Sequence, residues 1–168
     1  SIDRVVRFAK GKGFTRFAGL VPKNVYGQRA LSNLTRSVRD SGGTLVSIQE
    51  VDASIASMDA AARKIKAAGA VDAVLIADSG RTAINAIPAL RRQGVSAQKF
   101  LGTDLWNVDG TLSSSPSLSG AWFASVSDTM YRQYAEKYRA RFGEAPFRLS
   151  SLGYDSVLLV ARVAQSWK

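Results

Sequence analysis

Short, almost wholly apolar runs alternate with stretches of helical apolar spacing along the first 103 residues, and this alternation constrains the chain more than any other feature. Ile2, Val5, Val6 and Ala9 recur at helical spacing, and Gly11-Lys12-Gly13 closes that helix. Residues 17–21 then read as a short buried strand. Leu31, Leu34 and Val38 mark a second helix stopped by Gly42-Gly43, after which Thr44–Val51 is rich in strand formers. Met58, Ala62 and Ile65 stripe a third helix, residues 73–77 form a strand, Ala83, Ile87 and Leu90 carry a fourth helix, and 99–103 is a fourth strand. Connections this short between alternating elements imply right-handed crossovers, a parallel sheet and helices on both its faces. The fold class is therefore α/β, a three-layer sandwich with about five strands.

From Asp104 the regular beat stops. "DLWNVDGTLSSSPSLSG" is a loop by composition and leads to a fifth strand at 121–126. Asp128-Thr129 can cap a fifth helix on which Tyr131, Tyr134, Tyr138 and Phe142 form an aromatic stripe, read as core packing. The last helix, 149–167, is apolar on two sides: Val157, Val160 and Ala164 on one, Leu152, Leu159 and Val163 on the other. Such a helix needs cover on both.

Composition removes several classes of function. With no Cys there is no disulfide, thiolate nucleophile or Cys-type zinc site, and with no His the usual proton shuttle and metal ligand are missing. No stretch approaches about twenty unbroken apolar residues, so no membrane-spanning helix is expected. The start at Ser1, inside an amphipathic pattern, suggests a piece cut from a longer chain. A net charge of +10 invites a nucleic-acid reading, yet the cations, among them Arg4, Arg7, Arg29, Arg36, Arg63 and Arg91, are scattered over the polar sides of successive helices. Solvated helix faces are the simpler account, and no nucleic-acid partner is expected.

An open parallel sheet takes its ligand beyond the carboxyl ends of the strands. Four joints lie there: 22–27, 78–81, 102–106 and 125–128. None is a phosphate loop, because the single GxG, at Gly11 and Gly13, precedes a strand and no G-x-x-x-x-G-K-[ST] occurs. Asn24 reads as a helix cap and Tyr26 as an aromatic facing an open cleft, and both are candidate ligand-binding residues. Asp78, Ser79 and Gly80 offer a carboxylate, a hydroxyl and backbone N–H groups, as caps, as ligand contacts or as both. Asp104 could pair with a ligand ammonium while Trp106 covers an apolar part, or the two could cap a turn and shield the lobe edge. Asp78 and Asp104 could be a catalytic carboxylate pair, but Ser79 has no histidine to activate it and G-x-S-x-G is missing. The reading is a non-enzymatic site that holds a small polar ligand, with no catalytic residue, metal or cofactor.

Taken in order, "FAGLVPKNVYGQRALSNLTRSVRDSGGTLVSIQEV", "AARKIKAAGAVDAVLIADSG", "KFLGTDLW", "LSGAWFAS", "YAEKYRARFGEAP" and "SLGYDSVLLVARV" resemble the second half of type I periplasmic binding proteins of the branched-chain amino-acid receptor kind. They are similar also to the bacterial lipoproteins that serve as penicillin-binding protein activators. The resemblance implies a Rossmann-like lobe at 1–145 and a return helix at 146–168 that docks on a second lobe. It implies a periplasmic protein, lipid-anchored in the lipoproteins, that closes on an amino-acid-like ligand between two lobes and serves a membrane transporter. The position matching Tyr26 supplies an aromatic, and those matching Asp78, Ser79, Gly80 and Asp104 supply polar contacts. The alternative it carries is an interaction module contacting a cell-wall synthase. Without a second lobe, the last helix is expected to fold onto its own lobe or to pair with a second chain as a homodimer.

Overall fold

The computed structural model of the chain describes residues 1–108, 115–125 and 128–166. They divide into two compact units, Ser1–Ser125 and Val126–Lys168, each treated by itself.

In the first unit α1 (Ile2–Gly11), β1 (Arg16–Pro22), α2 (Val25–Asp40), β2 (Thr44–Val51), α3 (Ile55–Ala68), β3 (Ala73–Ile76), α4 (Gly80–Arg92), β4 (Lys99–Gly102) and β5 (Trp122–Phe123) follow one another. The sheet order is β2-β1-β3-β4-β5, and every neighbouring pair is parallel. This is the α/β three-layer sandwich expected from the alternation.

The period of two in the strands sorts their side chains into two cores. Ala18, Leu20, Val74, Ile76 and Phe100 face one side with Met58, Ile65, Ile87 and Leu90 of α3 and α4. Phe17, Val21, Ala73, Leu75 and Leu101 face the other with Val5, Val6, Leu34 and Val38 of α1 and α2. Burying each large side chain stabilises the fold by about 2 kcal/mol. On α2 the buried stripe runs through Ala30, Leu34 and Val38, while Leu31, assigned to the stripe from its spacing, lies at the exposed margin. The cations named above all stand exposed on helix surfaces. No helix among the described residues is long and apolar enough to cross a membrane.

The carboxyl ends of the strands lie level. Leu20 pairs with Ile76, Ile76 with Gly102 and Gly102 with Phe123. The residues just past this rung, Val21, Ala77, Thr103 and Ala124, thus begin one continuous rim. The fifth strand is shorter than the 121–126 expected; within that range Val126 lies outside the described residues. In the loop from Asp104 the described residues form 3-10 turns at Asp104–Val108 and Pro116–Leu118, and residues 109–114 lie outside the described residues.

The second unit holds α5 (Asp128–Phe142) and α6 (Ser150–Ser166). The aromatic stripe supplies their contact: Tyr134 is buried, its ring lies 4.9 Å from that of Tyr154, and its hydroxyl is 2.8 Å from Ser150 Oγ. The Tyr131 hydroxyl donates to the Pro146 carbonyl at 3.1 Å, and the Arg148 guanidinium sits 4.5 Å above the Tyr131 ring. Phe142, at the end of the stripe, is exposed. Leu152, Val157, Leu159, Val160 and Val163 of α6 are exposed as well, on both of the sides read as apolar.

Candidate functional site

Three helices start at the rim, and each starts on a polar side chain that accepts a backbone N–H of its first turn. Asn24 Oδ1 accepts from Gly27 N at 2.9 Å, Ser54 Oγ from Ser57 N at 3.1 Å and Ser79 Oγ from Thr82 N at 3.3 Å. Capping is thus what Asn24 and Ser79 do here, and Ser79 Oγ also shares a hydrogen bond with Thr82 Oγ1 at 3.1 Å. Gly80 is the first residue of α4 and is buried.

Two glycines allow side chains to gather at the rim. A Cβ on Gly27 would stand 1.7 Å from the Pro22 carbonyl oxygen, so only glycine lets the first turn of α2 sit directly on the end of β1. That seating places Tyr26 over the strand ends. A Cβ on Gly102 would stand 2.2 Å from the Trp106 indole, so the last residue of β4 is bare and the ring lies flat on it. Trp106 is 1% exposed and belongs to the core on the α3/α4 side, so in this structure its ring packs under the rim.

Tyr26 and Asp104 project from different joints and share one neighbourhood. The Tyr26 hydroxyl donates to Thr103 Oγ1 at 3.2 Å, across 77 residues of sequence. Burial raises the Tyr26 hydroxyl above the ordinary phenol value; the hydrogen bond to Thr103 opposes this, while the Asp104 and Asp78 carboxylates push it further up. The hydroxyl is accordingly neutral near neutral pH. Asp78 Oδ1 accepts the Ser79 N–H at 2.6 Å, and Asp104, the exposed first residue of its 3-10 turn, carries the second carboxylate. The patch therefore gathers a phenol and two carboxylates, a composition suited to a donor-rich or cationic group.

Sequence reasoning did not single out three participants. Thr103, fully buried, anchors Tyr26. Lys23 Nζ reaches Asp52 Oδ2 at 3.6 Å, linking the first joint to the one after β2. Asp52 also accepts from Ser54 Oγ at 2.6 Å and Ser54 N at 2.9 Å, contacts that hold its carboxyl below the usual carboxylate value. The Asp-Ala-Ser run after a β-rich stretch was the available signal for that joint. At the fourth joint the Asn107 side-chain amide donates to Ser125 Oγ, while residues 126–127 lie outside the described residues.

Elsewhere a groove of about 620 Å³ runs between α1 and β5, lined by Arg4, Phe8, Trp122 and Phe123 among others. Its walls are mainly apolar, and among the described residues no carboxylate lines it. No group of three His, Cys, Asp or Glu among the described residues could hold a metal ion.

Across residues 1–168 the sequence matches the family model for periplasmic binding proteins. No curated protein matches it. Among solved structures, a leucine binding protein from Thermotoga maritima MSB8 superposes with a TM-score of 0.70 at 17% identity, over 98% of this chain and 49% of the other. A branched chain amino acid ABC transporter periplasmic ligand-binding protein from Burkholderia xenovorans LB400 gives 0.67 at 19%, over 94% and 43%. An ABC transporter solute binding protein from R. palustris in complex with benzoate gives 0.67 at 16%, over 93% and 45%. At these identities the likeness shows the fold, and the chain spans about half the length of each structure.

Proposed function

Because the chain belongs to the periplasmic binding protein family, we propose that residues 1–145 form one wall of a two-lobed, non-enzymatic solute receptor serving an ABC-type transporter in the periplasm. The ligand is a small amino-acid-like molecule whose ammonium group is held by Asp78 and Asp104 beside Tyr26. Asn24, Ser79 and Gly80 frame the site through the capped starts of α2 and α4, and Trp106 supports it from below.

The observation that carries this reading is the hydrogen bond from Tyr26 to Thr103, which joins the first and third joints at a rim where the Asp104 and Asp78 carboxylates act electrostatically on the same hydroxyl. Those groups accept hydrogen bonds or carry negative charge, which favours an ammonium over a carboxylate at this wall. The mechanism is hinge closure, in which a ligand touching both walls stabilises the closed state by its differential affinity. A receptor of micromolar affinity binds with about 8 kcal/mol, so one wall supplying half of that holds ligand at about millimolar strength. Residues 146–168 provide the return helix, whose exposed apolar sides fit the surface of a second lobe.

The test is a nuclear magnetic resonance titration of the isotope-labelled chain with α-amino acids, neutral sugars and aromatic carboxylates at concentrations above about 1 mM. Amino acids are expected to shift the amides of Tyr26, Asp78–Gly80 and Thr103–Asp104. Shifts produced only by sugars or carboxylates, or absent from that rim, would refute the reading.

A further inference from the structure

We propose that Thr103 is a positioning residue that fixes the hydrogen-bond polarity of Tyr26, turning the phenol oxygen into an acceptor towards the cleft and so selecting ligands that carry an ammonium group. The inference rests on the function proposed above and adds to it a residue that itself touches no ligand.

A phenol has one hydrogen and can either donate it to the ligand or keep it for the protein. Here it is kept, because the Tyr26 O–H donates to Thr103 Oγ1 at 3.2 Å. Thr103 Oγ1 also receives the Leu105 N–H at 3.4 Å, so both contacts to this oxygen use it as an acceptor. Two donors thus converge on the Thr103 oxygen. The lone pairs of Tyr26 Oη are then left for a donor arriving from solvent. Asp104 and Asp78, the charged groups that act on that hydroxyl, are acceptors as well.

Thr103 is suited to hold this arrangement because it is rigid. It has no exposed surface, follows directly on β4, and its carbonyl accepts the Trp106 N–H at 3.1 Å. Tyr26, by contrast, is 38% exposed and sits on the first turn of α2. The buried residue thus orients the exposed one. Without the threonine hydroxyl, the phenol hydrogen has to find another acceptor, and the adjacent carboxylates offer one. Each carboxylate lone pair used in that way is lost to the ligand.

The test compares Thr103→Val, which keeps the shape and removes the hydroxyl, with Thr103→Ser, which keeps the hydroxyl. Leucine, alanine and phenylalanine are each titrated against the matching acid without its amino group, by nuclear magnetic resonance on the full chain. Thr103→Val is expected to weaken the amino acids about tenfold and leave their des-amino partners unchanged, with Thr103→Ser close to wild type. Tyr26→Phe should give the same selective loss, and the double variant should be no weaker than Tyr26→Phe alone. Equal weakening of both ligand classes, unchanged amino-acid affinity in Thr103→Val, or additive effects in the double variant would overturn the role of Thr103 while leaving the receptor reading in place. If the wild-type chain binds none of the amino acids at the rim, the receptor reading fails and this inference with it. Folding of the valine variant is checked by the amide shifts at the amino ends of the strands, at Arg16, Thr44, Ala73 and Lys99, remote from the rim.

Discussion

Gly27 sits so close to Pro22 that a methyl group on it would overlap the proline carbonyl oxygen, at 1.7 Å. The obstacle is backbone, which cannot rotate aside as a side chain does. Gly27→Ala must therefore lift the first turn of α2 from the end of β1, or bend the strand end. We expect a loss of about 3 kcal/mol in chemical denaturation, the upper range for overpacking. Because Tyr26 precedes Gly27 directly, its hydrogen bond to Thr103 should be lost in the same variant, visible as a changed tyrosine ring environment. An alanine variant of wild-type stability would show that α2 is not seated in this way.

The indole of Trp106 fills the space that the missing side chain of Gly102 leaves free, and its Nε1 is buried with no hydrogen-bond partner among the described residues. Shape, then, is what this tryptophan contributes. Trp106→Phe keeps most of that shape and discards the unsatisfied N–H, so it should cost no more than about 2 kcal/mol. Trp106→Ala opens a cavity under the rim and should cost about 3–5 kcal/mol. Thermal unfolding of the two variants measures the difference, and equal losses would mean that the indole N–H matters after all.

The sheet was legible because its side chains obey short-range rules. Ala73, Val74, Leu75 and Ile76 are all buried, as a strand covered on both faces must be, and a glycine after each of α1 to α4 marks its end. Asn24 and Ser79 were legible as caps for the same reason. Thr103 was not, since its partner lies 77 residues away and the pairing exists only once parallel register sets the ends of β1 and β4 level. Trp106 was ambiguous in sequence because an aromatic after a strand end can face a cleft or turn under it. What decides is the bare backbone of Gly102, a three-dimensional property.

Asp72 ties the amino ends of the sheet together and should make the fold sensitive to acid. Its Oδ2 accepts from Thr15 N at 2.8 Å, Arg16 N at 2.9 Å and Thr15 Oγ1 at 3.1 Å. The Thr15 and then the Arg16 backbone contacts hold its carboxyl below the ordinary value of 3.8. A depressed acid stabilises the fold at pH above the unfolded value and loses that contribution as pH falls through the lower folded value. Asp72→Asn should therefore lower stability at neutral pH by about 1 kcal/mol, with the gap to wild type closing below about pH 4. Urea midpoints measured at several pH values would reveal it, and a gap that stays constant into acid would rule the mechanism out.

The exposed sides of α6 make the last prediction. Leu159 and Val160 are 64% and 68% exposed, and Asp155 and Arg162 are the only charged side chains between Ser150 and Ser166. In water such a helix gains by meeting another apolar surface, at about 25 cal/mol for each Å² covered. When no second lobe is supplied, the nearest equivalent surface is the same helix of another copy. We expect concentration-dependent dimerisation in sedimentation velocity, abolished by Leu159→Lys together with Val163→Lys. Because both positions are exposed within a single chain, those substitutions should change its own unfolding by no more than about 0.5 kcal/mol. Joined to a second lobe in a longer protein, the same pair should instead destabilise the whole, since the apolar sides are then buried. A chain that stays monomeric at every concentration, with α6 exchanging its amides freely, would show that the helix tolerates water on both sides and needs no partner.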